Sequence, residues 1–429
     1  MAAPKHVDVV EVRIWGQTVG AVAHDPGRSA FIFEYDRKWD GGRIELAPIK
    51  MPLKHQPPVF SFPGLDREAF QFLPGLLADA LPDRFGNRLI DAWMERHGVA
   101  SSSITALDRL SYMGKRGMGA LEFRPARAAA RASSAPIDMA NLVEAARRVV
   151  AGTIHDDDQS ANTLSRIIAV GTSAGGARPK AVLGWNRKTD ELISGQFDLS
   201  DGFEHWLLKF DGVGEDQQLG PSQQYGRIEY SYYKMATEAG IVMSPCELLK
   251  ENGRAHFITK RFDRLGNEKV HVQTLSALTH TSHNDRQANA YEGLFRVAID
   301  LGLNDESLNQ LFRRMAFNVA ARNHDDHTKN FSFLMREGGA WELSPAYDVT
   351  FAFVPDNIWL KEHLMSVAGK FDGIQTRDLM KVAERFSVPG AKKAIDDVNM
   401  ALKGWSHFAH EAGIRADEVE RIGQLHQML

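Results

Sequence analysis

The chain has 429 residues, of which 43% are hydrophobic and 25% are charged, a composition typical of soluble globular proteins. This length exceeds what one hydrophobic core usually serves, so we expect two or more lobes. A net charge of −4 excludes a surface that binds polyanions everywhere, and the single Cys246 excludes an intramolecular disulfide and a multi-cysteine zinc site. Since no apolar run reaches the roughly 18 residues that span a bilayer, and the first residues lack a signal pattern, we expect a cytoplasmic protein without a membrane partner.

The N-terminal part is predicted to be a small sheet followed by helices. Alternating apolar and polar residues over 7–22 predict a β-hairpin, which a strand at Ala30–Tyr35 extends. Apolar residues at helical spacing follow at 67–80 and 87–97. The segment 124–136, rich in small residues and arginine, is typical of a linker and marks the edge of an N-terminal lobe.

The pattern then changes twice. After a helical stretch at 137–150 the chain becomes strand-rich, and from about residue 289 helices dominate to the C-terminus, one of them with Thr376 as its N-cap. The predicted strands are 167–170, 180–185, 205–210 and 255–261, and a helix at 230–239 lies among them. This order indicates a nucleotide-binding lobe followed by a helical lobe.

The sequence RNHDDHTKNF places a carboxylate, Asp325, five residues before Asn330, and Asp348 follows in LSPAYDVT. Transfer of a γ-phosphoryl group needs an oriented acceptor hydroxyl and metal ions that neutralise charge on the phosphate oxygens. A first carboxylate can orient the hydroxyl, while an amide and a later carboxylate are hard oxygen ligands for Mg²⁺. Taken alone, a D-x-x-x-x-N match is more often a solvated polar loop.

The surrounding pattern strengthens that interpretation. Residues 331–334 and 341–343 are predicted strands joined by a turn at 338–339, so a hairpin brings Asn330 and Asp348 together. Neighbouring residues of an extended chain point to opposite sides, so only one of Asp325 and Asp326 can face the substrate. The spacing favours Asp325, and Asp326 stays open as the alternative.

Two further features stand earlier in the chain. The glycine-rich sequence GTSAGGARPK lies between predicted strands, so its backbone amides can approach phosphates; a plain β-turn is the simpler alternative. Lys209 ends the apolar run WLLK. If its ammonium is buried there, an anion such as a nucleotide phosphate would offset the cost of burial. The simpler alternative is that the ammonium reaches water at the end of the strand. The order of glycine-rich loop, lysine, acid, amide and acid is that of a kinase.

These motifs together resemble the HipA family of serine/threonine kinases, the toxins of bacterial toxin–antitoxin pairs, over almost the whole length. The resemblance is carried by GTSAGGARPKA, EHWLLKF, ITKRFDR, RNHDDHTKNFS and LSPAYDVT, and in the N-terminal part by LADALPDRFGNRL and GKRGMGALEF. It implies an α+β, protein-kinase-like bilobal fold with an N-terminal β-rich coupling lobe and a mostly helical C-terminal lobe. The implied domains are 1–130 (coupling), 137–262 (nucleotide-binding) and 263–429 (catalytic).

The resemblance also implies ATP and Mg²⁺ as cofactors and Asp325 as the catalytic residue. Asn330 and Asp348 would hold the metal, and Ser173 stands where family members are autophosphorylated. A phosphate on Ser173 would add about −1.5 to −2 charges beside a triphosphate site and so oppose ATP binding. The implied nucleotide-binding residues are Gly175, Gly176, Ala177, Arg178, Pro179, Lys180, Lys209, Lys260, Phe262, His327, Lys329, Asn330, Tyr347 and Asp348.

The chain departs from the family pattern at two positions: Asp326 stands where a small residue is usual, and Lys260 places a cation in a hinge that is acidic in some relatives. The implied partners are a protein substrate, such as an aminoacyl-tRNA synthetase, and a HipB-like helix-turn-helix antitoxin that supplies most contacts to operator DNA. Two alternatives stay open, a small-molecule kinase and an inactive corepressor scaffold. Mn²⁺ would also be chemically acceptable as the metal.

Overall fold

A computed structural model describes residues 6–27, 30–39, 44–126, 135–150, 164, 167–168, 170–171, 178–213 and 224–429. The chain divides into two compact units. We name them the strand-rich unit, formed by Met1–Gln223, Leu249–Val272 and Arg336–Gly339, and the helical unit, formed by Gln224–Leu248, Gln273–Met335 and Ala340–Leu429.

The strand-rich unit begins with an antiparallel sheet of five strands in the order β4-β3-β2-β1-β5. The strands are β1 Val9–Ile14, β2 Gln17–Asp25, β3 Ala30–Tyr35, β4 Val59–Ser61 and β5 Leu121–Arg124. Alternate residues of β1, namely Val10, Val12 and Ile14, are fully buried, as the period of two requires. The predicted N-terminal sheet is therefore confirmed.

Five helices of this unit lie wholly within the described residues: α1 Arg67–Phe70, α2 Gly75–Ala78, α3 Arg84–Arg96, α4 Ala106–Met113 and α5 Met139–Val150. The single helix predicted over 67–80 is wrong, because Gln71 and Phe72 adopt left-handed backbone angles (φ 49° and 62°) that end α1. Helix α3 begins three residues earlier than predicted, since the carboxylate of Asp83 caps it by accepting a hydrogen bond from Gly86 N.

A second five-stranded sheet has the order β7-β6-β8-β10-β9. Its strands are β6 Lys180–Asn186, β7 Glu191–Ser194, β8 Glu204–Lys209, β9 Cys246–Glu251 and β10 Arg254–Lys260. Three of the predicted strands are confirmed here. The strand predicted at 167–170 is wrong, since Ile167 and Ile168 are helical; a short buried apolar run does not distinguish strand from helix by its pattern.

The remaining described strands form a two-stranded hairpin and a separate three-stranded sheet. The hairpin β11 Arg264–Leu265 and β12 Glu268–Lys269 belongs to the strand-rich unit. A three-stranded sheet has the order β13-β14-β15, with β13 His271–Thr274, β14 Ser332–Met335 and β15 Trp341–Leu343. The predicted hairpin is confirmed by the antiparallel pairing of Phe333 with Leu343.

The helical unit contains eight α-helices within the described residues, and six of them lie beyond residue 289, where the sequence predicted that helices dominate. They are α6 Tyr225–Glu238, α7 Leu275–Thr279, α8 Tyr291–Asp300, α9 Asp305–Ala320, α10 Thr376–Arg385, α11 Ala391–Lys403, α12 Trp405–Glu411 and α13 Ala416–Leu425. The N-cap of α10 is Gln375 rather than Thr376. Among the described residues, no helix combines the length and apolarity needed to cross a bilayer.

Candidate active site

The segment between α9 and β14 carries the acid and the amide that the sequence singled out. The chain leaves α9 at Ala320 and reverses at Arg322, whose φ of 58° is left-handed. Backbone hydrogen bonds tie the segment to the chain beyond β15: His324 N donates to Ala352 O (3.2 Å), and Ala352 N donates to Arg322 O (3.0 Å). A 3₁₀ turn at Thr328–Asn330 then leads into β14. The loop is thus fixed at both ends.

Asp325 presents its carboxylate to solvent, with 49% of the side chain exposed. The Nε2 atom of His327 lies 3.8 Å from its Oδ1. The backbone oxygen of Asp325 accepts a hydrogen bond from Asn330 Nδ2 at 2.7 Å. Because this bond orients the amide group of Asn330, its Oδ1 is the atom that can serve a cation.

Asp326 has the opposite environment. Its carboxylate is fully buried and lies 2.8 Å from each of three donors, the hydroxyl of Tyr291, Nδ1 of His363 and the backbone N of Leu364. Burial and the neighbouring Asp326 raise the pKa of Tyr291 well above 10, so the phenol stays a donor. Asp326 therefore anchors the loop, and Asp325 is the acid that faces outward.

One pocket is lined by Asn330 and Asp348, the two metal-ligand candidates, and by Tyr347. Asp348 has a left-handed φ of 53°, and the hydroxyl of Tyr347 donates to Lys329 O (2.7 Å) and contacts Ser332 Oγ. The lining includes Arg314, Asn318, Asp326, Asn330, Tyr347 and Asp348. The prediction that the hairpin brings Asn330 and Asp348 together is confirmed.

The donor set suits a magnesium ion that is shared with a phosphate group. Within the ranges that the structure describes, no group of three or more His, Cys, Asp or Glu side chains could hold a metal by itself. Asn330 and Asp348 contribute one amide oxygen and one carboxylate. Mg²⁺ commonly binds through one or two carboxylates together with substrate phosphates and water, so these two residues fit that ion.

Arg314 lines the same pocket and was missed by the sequence interpretation. It lies on α9 and is 4% exposed; its Nη2 donates to Ser344 O at 2.6 Å, while Nε and Nη1 have no hydrogen-bond partner among the described residues. Burial lowers the pKa of Arg314 to about 10, against the influence of the nearby Tyr347. An arginine on a helix of ordinary composition gives no signal, in the sequence, that it lies buried beside Tyr347.

His283 was also missed. Its ring centroid lies 5.5 Å from that of His327, in an edge-to-face arrangement. Burial lowers the pKa of His283 to about 3, and the cationic Lys329 and the adjacent His327 act in the same direction. A neutral imidazole therefore stands beside two of the predicted nucleotide-binding residues.

In the strand-rich unit, two predicted phosphate-binding lysines are direct neighbours. Lys180 on β6 pairs with Lys209 on β8 in antiparallel register, so their side chains lie on one face of the sheet. Lys209 also stands over the ring of Phe257 on β10, with Nζ 5.5 Å from the centroid. The ammonium of Lys180 is buried; it donates to Arg178 O (3.1 Å) and lies 3.6 Å from Asp83.

The predicted hinge residues have other partners in the same unit. Lys260 ends β10, and its ammonium forms an ion pair with Glu204 on β8. Phe262 is half-buried between Arg261 and Asp263, which form a buried ion pair. Pro179 O accepts a hydrogen bond from Phe210 N (3.2 Å). The remaining predicted residues, Ser173, Gly175, Gly176 and Ala177, lie outside the described residues.

Comparison with known proteins agrees with this architecture. Residues 172–405 match the model of the HipA-like C-terminal domain, and residues 10–124 match that of the HipA N-terminal domain. A solved structure of the Shewanella oneidensis toxin–antitoxin complex of HipA, HipB and operator DNA aligns with a TM-score of 0.67 and 18% identity, covering 97% of this chain and 95% of that one.

A curated relative from Sinorhizobium fredii, "Putative kinase Y4mE", is 23% identical over 198 residues. The match covers 44% of this chain and 41% of that protein's length, so the similarity concerns less than half of each protein.

The strand-rich N-terminal part and the helical C-terminal part define a mixed α/β protein with the fold of the HipA structure. With more than half of its length matched by the C-terminal family model, the chain belongs to the HipA family.

Proposed function

We propose that the chain is an ATP-dependent serine/threonine protein kinase. The single observation that carries the proposal is the loop geometry: the exposed carboxylate of Asp325 stands on a backbone whose carbonyl is held by Asn330, and Asn330 lines one pocket with Asp348. In the proposed reaction Asp325 orients the acceptor hydroxyl and accepts its proton, while the hydroxyl oxygen bonds to the γ-phosphorus of ATP, the bond to the β–γ bridging oxygen breaks and ADP leaves. Asn330 Oδ1 and the Asp348 carboxylate would hold Mg²⁺, which would neutralise charge on the phosphate oxygens.

The proposal includes the nucleotide-binding residues implied by the family likeness. Lys180 and Lys209 offer two cations on one face of a sheet, which suits a triphosphate. Family membership also supports autophosphorylation at Ser173 and the domain division 1–130, 137–262 and 263–429, and both stay predictions.

We further propose a HipB-like antitoxin as partner and a protein as acceptor. The similar Shewanella structure contains HipB and operator DNA, which supports the partner by analogy. Since this chain carries a net charge of −4, the antitoxin would supply most contacts to DNA. A component of translation, such as an aminoacyl-tRNA synthetase, is the proposed substrate class.

The test is transfer from γ-labelled ATP to the proteins of a bacterial lysate, with and without Mg²⁺, followed by phosphoamino acid analysis. We expect Mg²⁺-dependent phosphoserine or phosphothreonine in at least one protein, lost in Asp325→Asn. Label that appears only in small metabolites would contradict the protein-kinase proposal and favour a small-molecule kinase. ATP binding without any transfer would favour an inactive scaffold.

A further inference from the structure

Asp83 has two roles within the strand-rich unit. Its Oδ1 accepts a hydrogen bond from Gly86 N (2.6 Å) and so caps α3, while its Oδ2 lies 3.6 Å from the ammonium of Lys180. The side chains of Asp83 and Lys180 are only 4% and 7% exposed. Separation of a buried ion pair costs free energy, because each charge would be left without its partner in a medium of low dielectric.

The position of Lys180 explains why a counter-charge is needed there. Lys180 and Lys209 are direct cross-strand partners, and like charges at such positions repel. Asp83 supplies the opposing charge for Lys180 from outside the sheet. It thereby fixes one of the two lysines.

Helix α3 makes a second contact with the same part of the chain. A Cβ atom placed on Gly171 would meet Leu89 Cδ1 at 2.8 Å and Phe85 Cε1 at 3.7 Å, so the helix packs directly on that glycine. Gly171 and Lys180 are the first and last residues of the glycine-rich sequence GTSAGGARPK. Helix α3 and its N-cap residue Asp83 therefore contact that sequence at both of its ends.

We propose that Asp83 is a positioning residue for nucleotide binding, acting through Lys180. This inference rests on the proposed function, since it assumes that Lys180 and Lys209 bind ATP phosphates. The ion pair holds the flexible lysine side chain in one orientation before the nucleotide arrives, so less side-chain entropy is lost on binding. The element that does so, α3, lies in the predicted coupling domain, far from Lys180 in sequence.

Two substitutions separate the cap from the charge. Asp83→Asn keeps a good N-cap but leaves the buried Lys180 without its counter-charge, so we expect a lower Tm, a KM for ATP raised about tenfold and a kcat within about twofold of wild type. Asp83→Glu keeps the charge and weakens the cap, so we expect a lower Tm with most of the ATP affinity recovered. Affinity is measured by calorimetry with Mg-ATP, and KM and kcat from initial rates.

Asp66→Asn is the matched control, because Asp66 caps α1 through Ala69 N (2.6 Å), is an N-cap aspartate in the same unit, and forms no ion pair in the described structure. It should leave the KM for ATP unchanged. An Asp83→Asn protein with wild-type or tighter ATP binding would overturn the inference and leave the kinase proposal intact. Wild-type protein that binds no ATP would overturn both.

Discussion

Asp325 and Asp326 are adjacent in sequence, yet their carboxylates occupy opposite environments. The side chain of Asp325 is 49% exposed, whereas that of Asp326 is fully buried and accepts hydrogen bonds from Tyr291, His363 and Leu364. The buried acid fixes the loop, and the exposed acid is thereby held in one position toward solvent. This division of roles leads to two separate predictions.

Asp325→Asn is expected to lower the rate of phosphoryl transfer by about 10²- to 10⁴-fold, because the amide accepts no proton from the acceptor hydroxyl. Its Tm should match that of wild type, since the side chain is half exposed. Initial rates with γ-labelled ATP provide the measurement. Asp372→Asn, at an exposed position of the same unit, is the control and should retain full activity.

Asp326→Asn is expected to destabilise the helical unit by about 2 to 4 kcal/mol, because charge-assisted hydrogen bonds to a buried carboxylate are lost or weakened. Urea unfolding followed by tryptophan fluorescence measures the loss. Asp325→Asn, with the same chemical change at the neighbouring residue, should alter stability by less than about 0.5 kcal/mol. Equal effects of the two substitutions would contradict the assigned roles.

Asp348→Asn is expected to raise the Mg²⁺ concentration for half-maximal activity by about tenfold or more, since one of the two proposed protein ligands loses its charge. Asparagine tolerates the left-handed backbone of this position (φ 53°), so the fold should persist. A magnesium titration at saturating ATP is the measurement. An unchanged magnesium requirement would exclude Asp348 as a metal ligand.

Gly119→Ala is expected to destabilise the strand-rich unit by about 2 kcal/mol or more. Gly119 has a φ of +74°, a Cβ there would lie 3.0 Å from Val272 N, and its own N donates to the buried Asp263 (2.8 Å). Gly16→Ala is the matched control, because Gly16 has nearly the same φ (+77°) and a Cβ there would meet no atom of the other described residues, its chain neighbours aside, within 4 Å. The difference between the two losses in unfolding free energy isolates the packing contribution.

Stability is expected to fall in mild acid through buried histidines that stay neutral in the folded protein. Burial lowers the pKa of His271 to about 4. Because the unfolded chain binds a proton near pH 6.5 and the folded chain does not, the stabilisation is complete above pH 6.5 and is lost as the pH falls toward 4. When the pH falls from 7 to 5, the free energy of unfolding measured by urea titration should decrease by about 2 kcal/mol more in wild type than in His271→Gln.

Elements with clear periodicity were predictable from the sequence. The alternating pattern of β1 corresponds to the observed strand, because a half-buried strand needs a period of two. Strand β14 is buried along its whole length and was predicted from its apolar run and the turn that follows it. The segment 167–170 was assigned wrongly, since its apolar residues would be buried in either a strand or a helix. The break after Phe70 runs through two left-handed residues, Gln71 and Phe72. The sequence signals it only through the Pro74-Gly75 pair that follows, which the prediction of one continuous helix overlooked.

The candidate site was predictable where its residues are close in sequence. Asp325 and Asn330 are five residues apart, and the hairpin brings Asp348 to the same pocket. The contacts of Asp326 with His363 and of Lys180 with Asp83 join distant parts of the chain. Such pairs depend on tertiary packing, which a single sequence does not reveal through spacing or composition.

The measurement that tests the central claim most directly is mass spectrometry of phosphate acceptors after incubation with Mg-ATP. Purified wild type and Asp325→Asn are compared alone, for phosphate at Ser173, and in a lysate freed of ATP, for phosphate on other proteins. We predict phosphate on Ser173 and on at least one lysate protein with wild type, and neither with the variant. Wild-type protein that binds ATP but adds no phosphate beyond the level of Asp325→Asn would contradict the account.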